Sequence, residues 1–138
     1  MGVYRGIAQD NVTINSGTAT LQSLTVTGAL TASGGVRLPV AAVAAAGNNQ
    51  GTATALSEGL NVVSAADGAK GVRLPTAVAG MVVIVKNTVA AALKIYPASG
   101  AAINAVAANG SYDITNLTST MLVASSATQW YSVPLVAS

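Results

Sequence analysis

Between Gly80 and Pro97 the chain reads GMVVIVKNTVAAALKIYP, and this stretch limits what the rest can fold into. Met81 to Val85 is an unbroken apolar run, mostly β-branched. A short apolar run bounded by turn residues reads as a strand buried on both faces. After the interruption Lys86-Asn87-Thr88, the segment Leu93-Lys94-Ile95-Tyr96 alternates apolar and polar, the pattern of a half-exposed strand. The two together predict the central hairpin of an all-β domain.

From Gly51 onward the spacing of apolar runs predicts further strands near Leu60–Ser64, Gly71–Leu74, Tyr112–Thr115, Met121–Ala124 and Gln129–Val133. Asp67-Gly68, Lys86-Asn87, Ser99-Gly100, Asn109-Gly110 and Ser125-Ser126 supply turn signals between them. Regularly spaced short strands predict an all-β fold, a β-sandwich or jelly-roll-like domain, preceded by an extended N-terminal arm. The expected division is an arm and linker over 1–50 and a body over 51–138. The expected core is Leu60, Val62, Leu74, Val83, Val85, Leu93, Ile95, Ile114, Leu122 and Trp130. Trp130 and Tyr131 fall on opposite faces of the last strand, one for the core and the other for a partner.

Such a core is fine-grained. Ala and Val supply most of the apolar residues, Phe is absent and Trp occurs once. Small side chains bury little area, at about 25 cal/mol per Å², so a lone domain of this size is marginal. Only 7% of the 138 residues are charged, against roughly 25% in ordinary domains. The chain therefore lacks the charge that keeps a monomer in solution, which predicts a surface covered by other subunits. The net charge of +2 comes from scattered residues, Arg5, Arg37, Lys70, Arg73, Lys86 and Lys94, so no basic patch for nucleic acid is expected. The apolar tracts Leu38–Ala46 and Val89–Leu93 fall well short of the ~20 residues that cross a bilayer, so no membrane partner is expected. The opening MGVYRGIAQDN carries no apolar segment of the signal-peptide kind.

Residues 1–34 differ from the rest. Asn11–Asn15 alternates, Ser16-Gly17 marks a turn, and Thr18–Thr27 is rich in Thr and aliphatics. So thin a segment cannot repay an ordering cost of roughly 1–2 kcal/mol per residue by itself. It reads as a flexible arm, or as one ordered only against neighbouring chains, for example by adding a strand to an exposed sheet edge. Residues 35–50 read as linker. Within them Gly35-Val36-Arg37-Leu38-Pro39 returns 36 residues later as Gly71-Val72-Arg73-Leu74-Pro75, which predicts a duplicated strand end and turn.

The chain contains no His and no Cys, which removes the common acid–base and nucleophilic dyads, disulfides and thiolate metal sites. Four carboxylates remain: Asp10, Glu58, Asp67 and Asp113. Asp67 reads as a turn former and Asp113 as a solvated strand residue. No phosphate loop and no calcium-type Asp/Asn cluster is written in the chain. No enzyme, cofactor or metal is expected. Tyr96, Tyr112, Trp130 and Tyr131 read as core and interface aromatics, with a sugar platform as the alternative.

The segments GVRLPTAVAGMVVIVKNT, LKIYPASGAAINA and SATQWYSV resemble small virion structural proteins of tailed bacteriophages. The arm segment TLQSLTVTGALTASGG is similar to repeats of phage fibre and head-fibre proteins. The resemblance implies a β-rich homotrimer made in the bacterial host cytoplasm and carried on the outer surface of the virion. The function implied is that of a capsid cement, or decoration, protein bound across major capsid protein subunits. The alternatives are a receptor- or glycan-binding component of a tail or head fibre, and a cellular adhesion or scaffold module. The residues expected at interfaces are Arg5, Val12, Ile14, Leu21, Leu24, Val26, Arg37, Arg73 and Tyr131.

Overall fold

A computed structural model of the chain describes residues 22–135. The chain divides after Val36 into two units. The described part of the first, residues 22–36, contains no strand and is exposed throughout; a turn at Ser33-Gly34 is its one local feature. Arg5, Val12, Ile14 and Leu21, and the strand expected over Asn11–Asn15, lie outside the described residues.

The second unit, from Arg37, is built entirely of strands and turns among its described residues. Three strands, β1 (Val40–Ala44), β3 (Gly59–Ser64) and β5 (Val82–Asn87), pair in parallel as neighbours in one sheet. The strands between them in sequence, β2 (Thr54–Ala55), β4 (Gly71–Arg73) and β6 (Leu93–Tyr96), pair in parallel in a second sheet. From β1 to β6 the chain thus crosses to the second sheet three times and returns to the first twice, a solenoid-like coil. Parallel neighbours cannot be joined by a tight hairpin, so each turn of the coil uses the opposite sheet as its crossover.

The coil ends where pairing reverses. In the second sheet β8 (Tyr112–Ile114) closes antiparallel on β6. In the first sheet β9 (Ser119–Ser126) closes antiparallel on β5, and β10 (Gln129–Leu135) on β9. The two-residue β7 (Ala102–Ile103) finishes that sheet beside β10. The result is a six-stranded sheet in the order β1-β3-β5-β9-β10-β7 and a four-stranded sheet in the order β2-β4-β6-β8.

Strand placement largely follows the sequence expectation, but connectivity does not. The expected hairpin of Met81–Lys86 with Leu93–Tyr96 is absent: β5 and β6 belong to different sheets. The all-β class holds, while the alternating parallel topology is solenoid-like rather than that of a hairpin-built sandwich or jelly roll. Residues 35–50 are not simply linker, since Val40–Ala44 pairs along its length with β3. The two GVRLP copies also part company: the second forms β4, whereas the first is exposed and strandless. Asn87 closes β5 rather than a turn, and Ser125-Ser126 end β9 before the turn at Ala127-Thr128.

Between the sheets lie Val63, Val72, Leu74, Val83, Val85, Leu93, Ile95, Ile103, Ile114, Leu122 and Trp130, all buried. Leu60 and Val62, expected in the core, instead point outward and are only partly buried. Their neighbours Asn61 and Val63 are the fully buried ones. Asn61 can face inward because its amide is satisfied by the chain itself. It donates to the Ser57 carbonyl at 2.8 Å and accepts from the Ser57 amide at 3.2 Å. Asn87 does the same one turn of the coil later. It donates to the carbonyls of Ala91 and Thr115 at 2.7 and 3.2 Å and accepts from the Val89 amide at 3.1 Å. Gly59 opens β3 at φ +88°, where a Cβ would stand 2.4 Å from the Pro39 carbonyl oxygen. Only glycine passes there.

These contacts rank three substitutions. Leu122→Ala removes a fully buried side chain and is expected to cost about 2–5 kcal/mol. Asn61→Ala removes the two hydrogen bonds to the backbone of exposed Ser57, at roughly 0.5–1.5 kcal/mol each. Trp130→Phe is expected to cost less than Leu122→Ala, because the buried Trp130 indole N–H has no acceptor to lose. Urea unfolding followed by circular dichroism measures all three; an Asn61→Ala variant as stable as the parent would remove the turn-anchoring role given to Asn61.

Candidate assembly face

The two sheets present very different outer surfaces. On the four-stranded sheet the outward row Gly71–Lys94–Asp113 carries an ion pair, with Lys94 Nζ donating to Asp113 at 2.9 Å. In the adjacent row, Tyr96 lies against Gly71 and its hydroxyl donates to the Asn48 carbonyl at 2.8 Å. Arg73 Nη1 donates to the Gln50 carbonyl at 3.2 Å beside a shallow hollow lined by Pro75, Thr76 and Ser99. This face suits water.

The six-stranded sheet does the opposite. Register aligns Val40, Leu60, Ile84, Met121 and Val133 in one row across five strands. A second row runs Ala42, Val62, Lys86, Ser119 and Leu135, and a third Val82, Val123 and Tyr131. All of these residues face away from the core and are half-buried or exposed. Lys86 is the single charge among them, and its ammonium is turned to the Leu117 carbonyl. Strands ~4.8 Å apart and residues ~3.3 Å apart make the face roughly 20 by 15 Å, a few hundred Å², comparable with the largest apolar patch of an ordinary monomer, which is often functional.

The physical cause is in the sequence of β5 and β9. VVIV and MLVA are apolar at consecutive positions, so both sides of each strand are apolar there. The core takes Val83, Val85, Leu122 and Ala124, leaving Val82, Ile84, Met121 and Val123 on the other side. A run written for burial on both faces receives cover on one.

Of the expected interface residues, Tyr131 stands on this face and is 53% exposed. Arg73 belongs to the other sheet, and Arg37 is exposed at the start of the second unit. Leu24 and Val26 are exposed within the first unit. Within the second unit, Tyr131 and Arg73 lie on different sheets and do not form one site. Sequence reasoning missed Val40, Ile84, Met121 and Val133; the signal that marks them is an apolar residue on the non-core phase of each strand. The aromatics do not gather either: Trp130 is in the core, Tyr96 is buried, and Tyr112 and Tyr131 lie on different sheets. Tyr112 and Asp113 instead border a cleft of about 440 Å³ with Thr115, Thr118, Ser119 and Thr120. Among the described residues no three metal-ligating side chains come together.

Few charges leave little to titrate. Backbone amides of Lys70 and Ala69 donate to Asp67 and hold its carboxyl below the usual range. Its contribution is present above the unfolded carboxylate pKa and fades as pH falls through the lower folded value. The hydrogen bond that Lys94 donates to the Asp113 carboxylate raises the ammonium pKa above its ordinary 10.5. That contribution is whole below the unfolded pKa and fades as pH rises through the folded one. With no His or Cys, no side chain of ordinary pKa titrates between about 5 and 9. Thermal stability is expected to be flat across that window and to fall outside it; a melting-temperature step near pH 6.5 would contradict this.

Comparison of the chain with protein-family models, with curated proteins and with solved structures gives no match.

Proposed function

We propose that this protein is a structural component of a tailed-phage particle, a capsid cement protein that assembles as a homotrimer and binds across major capsid protein subunits. The observation that carries the assembly part is the outer face of the six-stranded sheet, an apolar surface with one self-satisfied charge. Leaving it in water forgoes about 25 cal/mol for each Å² that a partner would cover. The virion setting comes from the resemblance of GVRLPTAVAGMVVIVKNT, LKIYPASGAAINA and SATQWYSV to phage virion proteins. The mechanism is mechanical: buried area ties capsid subunits together against the outward pressure of packaged DNA. It needs no catalytic group, and the low charge of the chain serves it directly.

A second reading, a glycan-binding fibre component, draws on the Tyr112–Asp113 cleft, which offers a ring beside hydroxyl and carboxylate groups. Glycan-array hits abolished by Tyr112→Ala would favour it over the cement.

The cement reading is tested with purified protein and undecorated capsids. Binding is expected to saturate at a fixed number of copies and to raise the capsid melting temperature. Val40→Glu combined with Val133→Glu places a carboxylate at each end of the apolar row, on side chains already exposed. The double variant is expected to fold, to sediment as a monomer, and to bind capsids at least tenfold more weakly. Undiminished oligomers and binding in that variant would remove the face from the mechanism.

A further inference from the structure

The coil is closed at one end and open at the other. At the far end β8 and β9 seal both sheets with antiparallel strands of the same chain. At the near end the sheets stop at β1 and β2. Edge strands invite pairing unless they are short, charged, bulged or interrupted by proline. Three of the four sheet edges are blunted by brevity: β2 and β7 have two residues each, and β8 has three, including Asp113. The fourth, β1, has five residues, VAAVA, with no charge and no proline. Ala41 and Val43 lie on its core-facing side yet remain half-buried, because no strand stands beyond them.

The same chain holds a segment with the complementary deficiency. Gln22–Thr27 reads QSLTVT, with Leu24 and Val26 alternating against Ser23, Thr25 and Thr27. That is a strand pattern, rich in β-branched residues. Yet the segment forms no strand, and Leu24 is 63% exposed. Among the described residues neither it nor the outer edge of β1 has a strand partner, although the Ala44 carbonyl on that edge accepts from Thr54 Oγ1 at 2.8 Å.

We propose that the open edge of β1 receives Gln22–Thr27 of a second copy of the chain. Leu24 and Val26 then cover Ala41 and Val43, and Thr25 stands beside Ala42 on the outer face. The contact is heterologous, segment of one copy on edge of the next, so it either closes into a ring or continues as a filament. The homotrimer proposed above is the closed form. The inference rests on that reading only in requiring that copies of the chain meet.

The absence of cysteine from the chain gives a clean test. Full-length Thr25→Cys and Ala42→Cys proteins are prepared separately, mixed, dissociated and reassembled, and oxidised with diamide. The mixture is expected to yield a disulfide-linked dimer several-fold more abundant than either variant yields alone. The Thr25→Cys/Ala42→Cys double variant is expected to give linked species up to the trimer. Ala44→Cys, run in parallel, catches a register two residues away. No excess linkage with either position, or a double variant that links only within the monomer, overturns the proposal. Should the parent protein still be oligomeric and still dress capsids, that failure belongs to the edge alone; a monomeric parent that ignores capsids sinks the cement reading as well.

Discussion

The parallel pairing of β1, β3 and β5 is the constraint on which the structure turns. Parallel neighbours require long crossovers, and here each crossover is a strand of the opposite sheet. That one choice produces the coil, places the core between the sheets, and gives the three strands an inner side that is apolar apart from Asn61 and Asn87. It also carries an obligation. Sheets of parallel strands are normally covered on both faces, since their strands are apolar throughout. The four-stranded sheet covers one face of this one. Nothing among the described residues of the second unit covers the other.

Holding a coil of this kind together falls to a few polar side chains rather than to bulk. Asn61 within β3 and Asn87 at the end of β5 are fully buried, and each ties down the adjoining loop by bonding to backbone on both its donor and acceptor sides. A buried amide satisfied in this way costs little and fixes the position of the chain reversal. With the reversals pinned, Val, Ala and Leu suffice between the sheets, and Trp130 is the one large side chain needed where β10 meets β7.

How much of this was legible follows from what local sequence can encode. Strands β3 to β6 and β8 to β10 were visible because their apolar periodicity is a local property. Which sheet a strand joins is not local: TVAAA between β5 and β6 looks like a hairpin loop whether the chain folds back or crosses over. Leu60 and Val62 alternate with Asn61, and periodicity alone places the aliphatic pair inward and the asparagine outward, the reverse of what is observed. Its inward position depends on the Ser57 backbone, which periodicity cannot show. The Ala-rich β1 and the two-residue β2 and β7 give almost no periodic signal. The candidate face was half legible: the apolar run at β5 implied burial on both sides, but only register places Val40, Ile84, Met121 and Val133 in one row.

An apolar face explains association but not its order. Neutral surfaces gain area in almost any orientation, whereas correct partners are normally selected by charge patterns that penalise wrong ones. This face has no such pattern, since its one charge is turned to its own backbone. Geometry must therefore come from elsewhere, and directional backbone hydrogen bonds are the device that a protein so poor in charge still possesses. An open strand edge fixes register, polarity and the angle between neighbours, because a one-residue slip turns every side chain to the wrong side. In the proposed assembly β1 sets how copies meet and the broad face supplies the buried area, a division of labour that a low count of charged residues fits.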